Sequence, residues 1–90
     1  MKLGTVISSM LDEMGIGAQV RRNMAPNLFA EVAGPAMSRH VTAERMEGTT
    51  LVVRAKSPAW RSEVSFLRDE LVRRLNQKIG NVVVKDIRIL

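Results

Sequence analysis

One segment constrains the fold more than any other. Residues 57–80 read as a single capped helix with one apolar stripe. The Ser57 hydroxyl can accept from an N–H of the first turn, and Pro58 suits the first helical position, where no N–H is needed. Stepping 100° per residue from Trp60, the side chains of Val64, Leu67, Leu71 and Leu75 fall within about 60° of it. Gly80 supplies the stop, because glycine accepts the left-handed conformation that ends helices. Arg73, Arg74 and Lys78 suit the negative end of the helix dipole. The spacing therefore predicts one helix from Pro58 to about Ile79. Its core anchors are Trp60, Val64, Leu67, Leu71 and Leu75, with Trp60 read as a buried anchor rather than a stacking platform.

Such a stripe needs a surface to cover. Upstream, the period changes from helical to alternating. Leu51, Val53 and Ala55 fall on one face of a strand, and Val52, Arg54 and Lys56 on the other. Val41–Met46 is a weaker strand, and Glu47-Gly48 between the two reads as a tight turn, so 41–56 is expected to be a hairpin. Val82–Leu90 is expected to be the last strand. Val82 and Val84 share one face there, but Ile87 and Ile89 share the opposite one. The sequence leaves two solutions, a bulge near Lys85-Asp86 or partial cover on both faces.

The first half reads as helical. Val6, Ile7, Met10, Leu11 and Met14 predict a short amphipathic helix over about 4–14, stopped at Gly15-Ile16-Gly17. A second helical segment covers about 18–39, with Val20, Met24, Leu28, Val32 and Met37 as its apolar side. Pro26 predicts a kink or break, and Gly34-Pro35 a kink or the last turn. With 90 residues there is room for one core. The fold class is α+β, with helices packed on one face of a three-stranded sheet in the order α-α-β-β-α-β. Residues 1–15 form an N-terminal amphipathic helix, and residues 16–90 the domain proper, which reads as a single domain with no flexible tail.

Composition removes several classes of chemistry. Cysteine is absent and there is one histidine, so thiolate metal sites, disulfides and a cysteine nucleophile are out. The expectation is no metal, no cofactor and no catalytic residue. Ser8 and Ser9 have no nucleophile elbow around them. His40 reads as a surface or capping residue beside Arg39. Asp12-Glu13 and Asp69-Glu70 are adjacent pairs that do not share a helix face. Gly15-x-Gly17 lacks the third glycine and preceding strand of a nucleotide loop. The start lacks the apolar run of a signal peptide, and no stretch is long enough to span a membrane, so the expected location is cytoplasmic.

Charge is the informative remainder. The chain carries net +5, and all of it resides in residues 51–90, with nine basic and four acidic side chains. Residues 1–50 are balanced. A positive field confined to one half suits polyanions or an acidic partner. Arg61 and Arg68 flank the apolar stripe about two turns apart, and Arg54 and Lys56 lie on the polar face of their strand. These four are the expected nucleic-acid-binding residues; ordinary solvated rims are the alternative. Phe66 is off the stripe, near 240°. It either reaches beneath another element, the preferred reading, or marks a partner contact.

The run Leu51-Val52-Val53-Arg54-Ala55-Lys56-Ser57-Pro58-Ala59-Trp60-Arg61-Ser62-Glu63-Val64, followed by Leu67, Leu71, Leu75-Asn76, Gly80 and Ile87-Arg88-Ile89, resembles the DciA family. Leu28-Phe29-Ala30-Glu31-Val32-Ala33-Gly34 is similar to the family's Trp-x-x-(Ile/Val)-Val-Gly segment, with Phe29 in place of the tryptophan. The resemblance covers about residues 16–90. It implies a KH-like fold and a role in bacterial DNA replication, binding the replicative DNA helicase and DNA and assisting helicase loading. The Gly-x-x-Gly loop of KH domains is missing, so that clamp is not expected here. The leading expectation is a non-enzymatic adaptor with weak, non-specific DNA binding. The rival is a KH-like RNA-binding module acting at ribosomes or transcripts.

Overall fold

The computed structural model describes residues 17–90. The helix expected over 4–14 lies outside the described residues. The observed order is α1 (Gly17–Ala33), α2 (Pro35–Ser38), β1 (Val41–Glu47), β2 (Thr50–Ala55), α3 (Pro58–Phe66), α4 (Arg68–Ile79) and β3 (Asp86–Ile89). The expected α+β class holds. The strands form one sheet in the order β1-β2-β3, antiparallel between β1 and β2 and parallel between β2 and β3. Parallel neighbours need a long crossover, which α3 and α4 supply.

The second helical segment divides at Gly34, not at Pro26. α1 runs through Pro26 without a break. Gly34 adopts φ 89° and ψ 166°, a region essentially closed to residues with a Cβ, so the helix ends there and Pro35 starts a short new turn. The apolar face of α1 also differs from the expected one. Val20 and Met24 are partly exposed, and Ala25 and Phe29 are buried instead. Phe29, at 1% exposure, is the largest of the fully buried side chains. The packed stripe is Ala25, Leu28, Phe29 and Val32-Ala33; the expected Leu28, Val32 and Met37 hold, while Val20 and Met24 give way to Ala25 and Phe29 because the bulkiest apolar group of the segment sets the phase.

The hairpin forms with Gly48-Thr49 as its loop, Gly48 at φ 61° as a primed turn requires. Its register shifts between Ala43 and Arg45, leaving Glu44 as the extra residue of a bulge in β1. Leu51, Val53 and Ala55 enter the core with Val41, as the alternation predicts.

The long helix is two helices. Leu67, at φ −94° and ψ 7°, leaves helical ψ and separates α3 from α4. Ser62, Ser65 and Phe66 just before it are weak helix formers. The two pieces share β3 but otherwise pack against different elements, α3 against β2 and α4 against α1. Val64, Leu71 and Leu75 are buried, while Trp60 and Leu67 are half-buried and packed against the core. Both caps take the expected form. Trp60 N–H donates to Ser57 Oγ at 3.2 Å, and Gly80, at φ 89°, closes α4 with its N–H on the Asn76 carbonyl at 2.8 Å.

The last strand begins at Asp86, not at Val82. The Asn76 side chain takes the backbone that a strand partner would otherwise take. Its Oδ1 accepts from Val83 and Val84 N–H at 3.0 and 2.9 Å, and its Nδ2 donates to the Val84 carbonyl at 2.8 Å. Val82 is then 75% exposed, while Val83 and Val84 are buried. Thr49 O accepts from both Lys85 and Asp86 N–H, at 2.8 and 3.4 Å, so the parity of the chain changes there. Val84 and Ile87 can therefore both face the core.

On α4, Glu70 accepts from Arg73 and from Arg74, the latter at 2.9 Å. Hydrogen bonds from the two guanidinium groups hold its carboxyl below the ordinary glutamate value. A depressed folded pKa contributes stability that is present above the unfolded value and is lost as pH falls through the folded one. Acid unfolding curves below about pH 4.5 are therefore expected to fall less steeply for Glu70→Gln than for the wild type. The pair is exposed, so the effect is small.

Candidate functional site

The face of the sheet opposite the described helices carries charge, and that charge is organised. Arg54 grips Glu44 with two bonds, Nε to Oε2 at 3.1 Å and Nη2 to Oε1 at 3.4 Å. Arg45 lies 3.7 Å from Glu44 and donates to Glu47 at 3.1 Å. Arg88 donates to the same Glu47 at 2.6 Å. The result is a continuous chain, Arg54–Glu44–Arg45–Glu47–Arg88, running from β2 across β1 to β3. The bulge makes it possible, because it leaves both Glu44 and Arg45 exposed. Val52 lies under this chain. It is on the strand face opposite Leu51 and Val53, yet it is 0% exposed, and its register partners on either side are Arg45 and Arg88. Arginine stems cover apolar surface while their heads stay in water.

The four expected nucleic-acid residues do not form one cluster. Arg61 and Arg68 come together with Ser65, spaced along one face of α3 and the start of α4. They line an open groove of about 590 Å³ with Arg88, Glu47, Asp86 and the β3 edge. Arg68 lies 3.6 Å from Asp86. Arg54 belongs to the ionic chain, and Lys56 stands at the end of β2, where its N–H donates to the His40 carbonyl at 2.9 Å. Among the described residues, Lys56 and Arg61 carry no ion pair, whereas Arg54 and Arg68 each face a carboxylate. Sequence reasoning did not single out Arg88. Its alternation with Ile87 and Ile89 was the available signal.

Two aromatic residues depart from expectation. Phe66 does not reach beneath another element. As the last residue of α3 it is 86% exposed, and nothing described packs over it. Trp60 stacks on His40, with centroids 4.9 Å apart and planes at 12°. The imidazole is exposed and the indole half-buried. This contact ties the β1 entry to the start of α3, and neither residue's sequence neighbourhood announces it.

No group of three or more histidine, aspartate or glutamate side chains among the described residues could hold a metal ion. No helix among them is long and apolar enough to cross a membrane.

The family model described as "Dna[CI] antecedent, DciA" matches residues 2–89. The chain belongs to the DciA family. The match reaches further toward the N-terminus than the motifs that carry the resemblance. Among DciA relatives, a UPF0232 protein of Streptomyces coelicolor is 30% identical over 92 residues, covering 100% of this chain and 48% of the relative. A UPF0232 protein of Corynebacterium glutamicum is 20% identical, covering 97% of this chain and 49% of the relative. One from Mycobacterium leprae is 25% identical, covering 97% and 46%. The chain thus spans about half the length of these curated relatives. Within the DciA motif, the Leu75-Asn76 pair now has a structural meaning: Leu75 is core, and Asn76 holds the turn into β3.

Proposed function

We propose that this chain is a non-enzymatic adaptor of bacterial DNA replication that binds the replicative DNA helicase and assists its loading. The observation that carries this reading is the family match over residues 2–89. Phe66 is the proposed partner contact, since a bare aromatic ring on a rigid helix end is the kind of group that anchors protein interfaces. Affinity capture from a nuclease-treated native lysate tests it. The adaptor reading expects the helicase on the tagged chain; RNA without helicase would favour the RNA-binding reading instead.

The same reading includes weak, non-specific DNA contact through Arg54, Lys56, Arg61 and Arg68. Lys56 and Arg61 lead, because they need not release a carboxylate first; Arg54 would have to give up Glu44. Each phosphate neutralised adds about 0.7–0.9 to the salt slope, so two to four contacts give a slope of about −2 to −4. Replacing Arg61 and Arg68 together by glutamate is expected to flatten that slope without lowering the melting temperature, since both side chains are exposed. Fluorescence anisotropy of a labelled oligonucleotide across a salt series reads it. No salt-dependent binding even at low ionic strength would remove the DNA assignment.

A further inference from the structure

The free edge of β3 has a chemistry that the proposed DNA contact does not use. β3 is an outer strand of the sheet. Leu90 N–H donates to Val53 O at 2.8 Å, and Leu90 O accepts from Ala55 N–H at 3.3 Å, so Leu90 directs both backbone groups toward β2. Asp86 N–H likewise points to Thr49 O. By the two-residue alternation of a strand, Ile87 and Ile89 direct their backbone groups away from the sheet. Ile87 N–H is taken by the neighbouring Asp86 Oδ1 at 2.8 Å. Among the described residues nothing pairs with the Ile89 N–H, the Ile89 carbonyl or the Ile87 carbonyl.

Ile87 and Ile89 line the groove with Arg61, Arg68 and Arg88, whose three positive charges exceed the two carboxylates there, Glu47 and Asp86. The opposite edge of the sheet, β1, is built differently: its bulge at Glu44 and its ionic chain blunt it against strand addition. β3 has no such bulge.

We propose that the β3 edge is a strand-addition site for an extended acidic segment of a partner protein. Its backbone would pair with Ile87 and Ile89, and its alternate carboxylates would meet Arg61, which carries no ion pair among the described residues, and would compete with Asp86 for Arg68. The edge favours a polypeptide as the occupant, because its open groups alternate acceptor and donor at strand spacing, a pattern that a peptide backbone matches and a sugar-phosphate backbone, whose phosphates only accept, does not. Charge disfavours a second copy of this chain, since pairing two β3 edges would bring together two grooves that each carry an excess of arginine, Arg61 being without a carboxylate partner among the described residues. The site shares Arg61 and Arg68 with the proposed DNA contact but stands without it.

The test uses the full chain, isotopically labelled, and two blocked ten-residue peptides, one alternating Thr and Glu and one alternating Thr and Lys. The Thr-Glu peptide is expected to shift the Ile87 and Ile89 amide resonances saturably and to slow hydrogen exchange at Ile89. The Thr-Lys peptide is expected to do neither. Ile89→Pro removes the outward N–H without touching the ladder to β2 and is expected to abolish binding. Arg61→Glu, an exposed change that leaves folding intact, is expected to weaken binding at least tenfold. An oligothymidylate probe is expected to move resonances near Arg61 and Lys56 and to leave the Ile89 amide unchanged. The proposal is overturned if the acidic peptide leaves Ile89 unmoved, if the Thr-Lys peptide binds as well, or if the oligonucleotide protects Ile89 in its place. Loss of DNA binding alone would count against the DNA contact and leave the strand site standing.

Discussion

Phe29→Ala is expected to cost about 3–5 kcal/mol of folding stability. The ring is 1% exposed and belongs to one core cluster with Ala25, Val41, Leu71 and Leu75, on a helix that packs against β1 and α4. Removing it leaves a cavity between α1 and the rest of the core, which a 17-residue helix packed along its length against β1 and α4 closes only in part. A domain of this size has about 5–15 kcal/mol in total, so the loss approaches unfolding at ambient temperature. Met24→Ala, five residues earlier on the partly exposed flank, is expected to cost under about 1 kcal/mol. Urea unfolding of the two variants reads the difference directly. Equal losses would mean that the Val20-Met24 flank of α1 faces the core after all.

Asn76→Ala is expected to cost about 2–4 kcal/mol, more than a surface amide ordinarily would. One side chain satisfies two N–H groups and one carbonyl of the Val83-Val84 backbone, and both valines are buried. Alanine leaves those groups unpaired where water has poor access, and each such orphan costs about 1–3 kcal/mol. The damage is local before it is global. Amide exchange at Val83 and Val84 is expected to accelerate most, with Leu71 in α4 affected only through global unfolding. Uniform acceleration would show that Asn76 supports the whole core rather than the turn.

These two residues also show what the sequence disclosed and what it concealed. The α+β order, the hairpin, the Ser57 and Gly80 caps and the Val64-Leu71-Leu75 stripe rest on local signals, periodicity and capping chemistry, and these were readable. The break at Leu67 was not. The apolar stripe continues through it, and what divides the helix is that its two halves meet different neighbours. The phase of α1 was misread because apolar residues occur on two adjacent faces, and only packing chooses the one with Phe29. The start of β3 was misread because a helix side chain fourteen positions from Leu90 pairs with the backbone of residues that look like strand. A tertiary hydrogen bond of this kind leaves no periodic trace.

The candidate site was less legible than the fold. Residue type and charge placed Arg54, Lys56, Arg61 and Arg68 on polar surface. Which of them carry a carboxylate partner depends on cross-strand register, and the Glu44 bulge that delivers that carboxylate to Arg54 is invisible in the alternation of β1. The helical angle of Phe66, off the stripe, points beneath another element if the helix is continuous. Its exposure follows from α3 ending at that residue, again a consequence of the Leu67 break.

The adaptor reading makes its sharpest claim about direct association. Purified chain and purified replicative helicase, both free of nucleic acid, can be sedimented together in an analytical ultracentrifuge. The account predicts that the chain co-sediments with the helicase oligomer, that Phe66→Ala reduces the bound fraction at least severalfold, and that the variant's melting temperature is unchanged. A chain that sediments alone at helicase concentrations well above micromolar, with or without Phe66, would contradict it.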